Sequence, residues 1–136
     1  MKLSLFDLHC DTAYEMLHQN RSLDVNDLAV SLENAEKFEH YAQMMAYWTP
    51  PHLSDEDGFF ALNRMHQNLM HDPAVKQNRT KIITGRFSRQ DKRVLLLSVE
   101  DARILNGCIE RVDRLWQMGI RFNLVVISSF ATVNLF

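Results

Sequence analysis

The chain has 136 residues, enough for one modest domain and too few for a complete eight-stranded α/β barrel of roughly 250. Hydrophobic residues make up 46% and charged residues 24%, ordinary globular proportions that exclude wholesale disorder. The formal charge of -2, with Lys and Arg scattered, supplies no basic surface for nucleic acid.

Cys10 and Cys108 form neither a metal-binding pair nor a disulfide-rich pattern, which fits reduced thiols in a cytoplasmic protein. The apolar run before Asp7 is too short for a signal peptide. The uncharged stretch from Phe122 to Phe136 is shorter than the roughly 20 residues needed to cross a bilayer, so no membrane association is expected. It reads as one or two buried strands, or as an aggregation hazard where partners are lacking.

Leu3-Ser4-Leu5-Phe6-Asp7-Leu8-His9-Cys10-Asp11 reads as a buried strand followed by Thr12 as a helix cap. Strand alternation sends His9 and Asp11 to one face and Cys10, a small buried hydrophobe, to the other. An imidazole and a carboxylate at a strand's C-terminal end form half of a divalent metal site, since zinc accepts both at about 2.0–2.2 Å. The structural alternative is that Asp11 caps the next helix and His9 is a hydrogen-bonded core residue.

Residues 12–18 read as a short helix with His18 on its surface. Ser31 caps a second helix ending near Glu39, and Tyr41 to Trp48 form a second strand stopped by Pro50-Pro51. That strand is apolar on both faces, as in a sheet covered on both sides. Ser54 and the acids after it open a third helix, whose stripe of Phe59, Leu62, Met65 or His66, and Leu69 is core packing. His66 and His71 are expected on its surface.

The signal weakens from Asp72 to Arg93, with a short strand over residues 81–84 and a polar loop after it. Val94-Leu95-Leu96-Leu97-Ser98-Val99-Glu100 is a strongly apolar strand ending on an acid, with Val94, Leu96, Ser98 and Glu100 on one face. A carboxylate there costs several kcal/mol unless paired, metal-bound or accepting backbone N–H groups of the next helix. That helix carries an apolar face from Ile104 to Trp116 and ends at Gly119, and a further strand begins at Ile120. Strands alternating with helices predict a parallel α/β sheet, with functional groups at the C-terminal strand ends.

Three stretches together resemble the membrane-dipeptidase (renal dipeptidase-like) family of zinc metallopeptidases: Asp7-Leu8-His9-Cys10-Asp11-Thr12, Gln43-Met44-Met45-Ala46-Tyr47-Trp48-Thr49-Pro50, and Ser98-Val99-Glu100-Asp101-Ala102 with the helix through Gly119-Ile120-Arg121. The resemblance implies the N-terminal portion of a (β/α)8 TIM-type barrel, incomplete in this chain. Residues 1–121 would be that portion and 122–136 a divergent apolar tail. It implies a binuclear zinc centre in which His9 and Asp11 bind one ion and Glu100, the catalytic bridging carboxylate, touches both. The implied reaction is hydrolysis of a dipeptide substrate by metal-activated water. The family's further histidine ligands have no counterpart in residues 1–136, so the second zinc site is incomplete. An uncharged ending after this match predicts a truncated chain, with a reading-frame shift near Phe122, inactive alone. The alternative is a non-catalytic barrel fragment that forms a homo-oligomer or pairs with another chain through unpaired sheet edges.

Overall fold

The computed structural model describes residues 3–124, which form one parallel sheet with helical crossovers. In chain order the elements are β1 (Leu5–Cys10), α1 (Thr12–Gln19), α2 (Leu32–Ala35), β2 (Tyr41–Tyr47), α3 (Asp55–His71), α4 (Pro73–Lys76), β3 (Lys81–Ile82) and β4 (Arg93–Glu100). A 3-10 turn (Ala102–Leu105), α5 (Ile109–Gln117) and β5 (Ile120–Leu124) follow. The expected tail beyond residue 124 lies outside the described residues.

The strand order is β1-β2-β4, and the far edge of β4 is shared by two strands in succession. β3 pairs with Val94 and Leu95, and β5 takes over from Leu97 to Glu100. Parallel pairing requires long crossovers, and the helices provide them.

Side-chain caps define several helix starts. Ser31 Oγ accepts the Asn34 N–H (3.2 Å), and Ser54 Oγ accepts the Asp57 N–H (3.1 Å). Buried Asp72 serves two segments, accepting the Ala74 N–H at the start of α4 and the Leu23 N–H of a distant loop, each at 2.8 Å.

The helices cover one face of the sheet. Met16 of α1, Leu62, Met65 and Leu69 of α3, and Leu115 of α5 pack there against Met45, Tyr47, Leu95, Leu97 and Val99. The inner face carries only a small cluster of Ile83, Val94 and Leu96 with Ala42. Among the described residues the helical crossovers all run on one side of the sheet, as a barrel wall requires, while Met44 and Ala46 on the inner face of β2 are buried as well.

The expectation of a buried first strand fails. Only Cys10 of β1 is buried; Phe6 and Leu8 are 51% and 62% exposed, because β1 is an edge strand. Its register slips between Asp7 and Cys10, where three steps on β1 match two on β2. The Asp7 carboxylate accepts the His9 N–H across this bulge (3.2 Å).

The helix expected after β4 is broken in two. Asn106 and Gly107 both adopt positive φ, ending the 3-10 turn before α5 begins. Gly119 follows α5 at φ +83, as its placement after the helix suggests, and a Cβ there would lie 2.9 Å from Thr84 Cγ2.

Candidate metal centre

β1 and β4 both end at the same rim of the sheet, with β2 between them. β4 keeps strict alternation: Leu95, Leu97 and Val99 enter the helix-covered core, leaving Val94, Leu96, Ser98 and Glu100 on the inner face. The bulge on β1 puts Cys10 in register with Met45, on the helix side. Cys10 Sγ lies 3.5 Å from Met45 Sδ, and burial pushes the thiol up to about 11, so it behaves as a packed hydrophobe.

His9, Asp11 and Glu100 converge at this rim, with one ligand atom from each lying within 4.8 Å of the others. His9 Nε2 is 3.4 Å from Asp11 Oδ1 and 3.5 Å from Glu100 Oε2. Among the described residues this is the cluster of His, Cys, Asp and Glu side chains that could hold a metal ion.

Each acid has an ordinary structural duty open to it, and neither performs it. Asp11 occupies the cap position of α1 but makes no side-chain cap hydrogen bond. Thr12, expected as the cap, is instead the first helical residue, buried with its hydroxyl unpartnered. Glu100 does not accept backbone N–H groups of the following turn; Asp101 does, through the Arg103 N–H (2.8 Å). Glu100 Oε2 is buried without a hydrogen-bond partner. Burial first, and the neighbouring Asp11 charge second, raise the Glu100 carboxyl above its usual range. A divalent cation would relieve both penalties, and an imidazole with two carboxylates is a donor set that zinc accepts.

The other histidines lie elsewhere. His18 is exposed and stacks on Tyr14, with ring centroids 3.9 Å apart. His66, expected on the surface, is half-buried with Nδ1 3.1 Å from Tyr47 Oη, while Met65 takes the core position. His71 is exposed and contacts the Gln67 carbonyl (2.7 Å).

The sequence assigns no role to Arg103 and none to Asp101 beyond its place in the resembling stretch. Asp101 has φ 80 and ψ 113, and both of its carboxylate oxygens engage Arg103. An acid two residues before a basic residue, directly after a strand, is the available sequence signal of such a turn.

No family model matches this chain, and no curated protein matches it in sequence. Solved structures that share its fold include two metallopeptidases. One is the dipeptidase AC, a metallopeptidase of family M19, at TM-score 0.71 and 14% identity, covering 90% of this chain and 44% of that one. The other is a metallopeptidase from Rhodobacter sphaeroides, liganded with a phosphinate mimic of the dipeptide L-Ala-D-Ala, at TM-score 0.70 and 13% identity. It covers 90% of this chain and 45% of that one. The chain thus spans less than half the length of the structures it matches, and its sheet corresponds to part of their barrel. No described helix is long and apolar enough to cross a membrane.

Proposed function

We propose that this chain supplies part of a zinc-dependent dipeptidase of the M19 type, with His9, Asp11 and Glu100 as metal ligands and a dipeptide as substrate. The observation that carries the reading is Glu100 Oε2, buried without a hydrogen-bond partner and aimed at His9. The shared fold of two solved metallopeptidases supports it.

His9 offers a neutral nitrogen, and the carboxylates of Asp11 and Glu100 balance a divalent charge. Three protein ligands leave coordination positions open for water and substrate, as catalytic zinc sites require. When bound, the cation polarises the peptide carbonyl and lowers the pKa of a water toward neutrality. In this reading Glu100 would be the carboxylate shared with a second cation, and a binuclear centre would need further ligands besides these three. A cytoplasmic setting goes with the two free cysteines.

Elemental analysis of the dialysed protein tests the assignment. About one zinc per chain, lost in Glu100→Ala, is the expected result, with dipeptide hydrolysis assayed on the loaded protein. Wild-type protein with no more zinc than the variant would overturn it.

Among the described residues β1 is paired on one edge alone, and Phe6 and Leu8 are exposed, which favours a second reading as a self-associating fragment. Light scattering after size exclusion decides that reading, and a monomer rejects it.

A further inference from the structure

We propose that Arg103 is a positioning residue for Glu100: its guanidinium holds Asp101 in a backbone conformation that L-residues avoid, and that conformation aims the Glu100 carboxylate at His9. The inference rests on the metal-site reading above.

β4 ends on Glu100, and the chain must then turn sharply so that Ile104, fully buried, can pack into the core. Space for this is tight: a Cβ on Gly58 of α3 would lie 3.1 Å from Ile104 Cγ2. The turn is made at Asp101, whose φ of 80 and ψ of 113 lie outside even the left-handed helical basin. Such a conformation persists only where its surroundings over-determine it.

Arg103 supplies that determination. Its N–H and Nε donate to the two Asp101 carboxylate oxygens at 2.8 and 3.1 Å. Its Nη1 donates to the Leu53 carbonyl at 2.6 Å, and Nη2 to the Pro50 carbonyl at 3.2 Å. Both carbonyls belong to the loop that follows β2, the strand lying between the two that carry the ligands. The fork therefore fastens the strained residue beside Glu100 to a neighbouring part of the rim. Without it, Asp101 relaxes, the peptide joining it to Glu100 rotates, and the carboxylate leaves His9.

The test uses Co2+ as a visible probe on Arg103→Ala, Asp101→Gly and the double variant, with circular dichroism confirming the fold of each. Glycine has no Cβ to oppose a positive φ, so it lowers the cost of the strained conformation and lessens the need for the fork. Arg103→Ala is expected to weaken cobalt binding by about 10–100-fold, the usual effect of losing a residue that orients a ligand. Asp101→Gly should bind like wild type, and the double variant should recover that affinity. A double variant as weak as Arg103→Ala would mean that Arg103 only braces the loop after β2, which overturns the proposal. Should Arg103→Ala not fold, Arg103→Lys, which lacks the Nε donor, enters the same comparison. Wild-type protein that binds no cobalt would reject the metal-site reading alone. Crystal structures of the metal-free proteins then decide the positioning role: Glu100 turned away from His9 in Arg103→Ala and returned in the double variant supports it, and an unmoved Glu100 rejects it.

Discussion

Glu100 and His9 meet across a strand that neither belongs to. Their side chains come from β4 and β1, and β2 runs between them, yet Glu100 Oε2 and His9 Nε2 are 3.5 Å apart. Strands in a sheet are spaced about 4.8 Å apart, so the two backbones stand nearly two spacings from each other. Only side chains leaning inward over β2 can close that gap.

Of the β2 residues that alternation puts on this inner face, Ala42, Met44 and Ala46, the last is nearest the rim, fully buried and in register with Ser98. Ala46→Leu is expected to separate the two proposed ligands, lowering zinc affinity at least about tenfold. It should also cost about 1–3 kcal/mol through overpacking. Isothermal titration and urea unfolding read the two effects separately, and unaltered zinc affinity would disprove the first.

Glu100→Gln should move two measurements in opposite directions. The raised carboxyl shows that the ionised side chain is disfavoured in the metal-free protein. Replacing it by a neutral isostere should therefore raise the metal-free melting temperature. The sign follows from linkage: a carboxyl raised on folding contributes stability below its unfolded pKa of about 4.5 and loses it as pH rises through the folded value. Added zinc should stabilise wild type and leave the variant nearly unchanged. A residue held only for structure would show neither effect.

His66 gives the acid side of the stability profile. Burial, and next the Arg114 charge, lower its pKa below the usual 6.5, so the folded protein holds it neutral. That contribution is complete above the unfolded pKa and is lost as pH falls through the lowered folded value. The melting temperature should fall as pH drops below about 6.5, and His66→Gln should flatten the decline. Equal slopes in the two proteins would remove His66 as the cause.

Gly119→Ala tests the junction between α5 and β5. The new methyl would meet Thr84 Cγ2 at 2.9 Å with the backbone at φ +83. A loss of about 1–3 kcal/mol in denaturant unfolding is expected.

Much of this architecture could be read in the residues. The alternation of Val94 to Glu100 marks its two faces correctly because β4 is paired on both edges and has no room to bulge outward. His9 and Cys10 were assigned to opposite faces, and they are, although a bulge intervenes that alternation does not show. Its origin is the Asp7 carboxylate folding back on the His9 N–H, a local hydrogen bond that periodicity does not register. The helix read from the apolar face of Ile104 to Trp116 ignores Asn106-Gly107, a dipeptide that breaks helices by favouring positive φ. Asp101 and Arg103 were invisible for a deeper reason, since the carbonyls that Arg103 holds lie about 50 residues earlier in the chain.

The pairing of the sheet also has a kinetic meaning. β4 has neighbours along both edges, with β3 and β5 in relay on one side, whereas β1 is paired among the described residues on one edge alone. Amide exchange should accordingly run from β1 inward, with β4 the last to open. The proposed ligands are divided along that gradient, His9 and Asp11 at the end of the strand that frays and Glu100 on the one that holds. A bound ion would leave when β1 lifts, losing two ligands together, so its residence time would be set by the fraying of a single edge strand and not by the strength of any one coordinate bond.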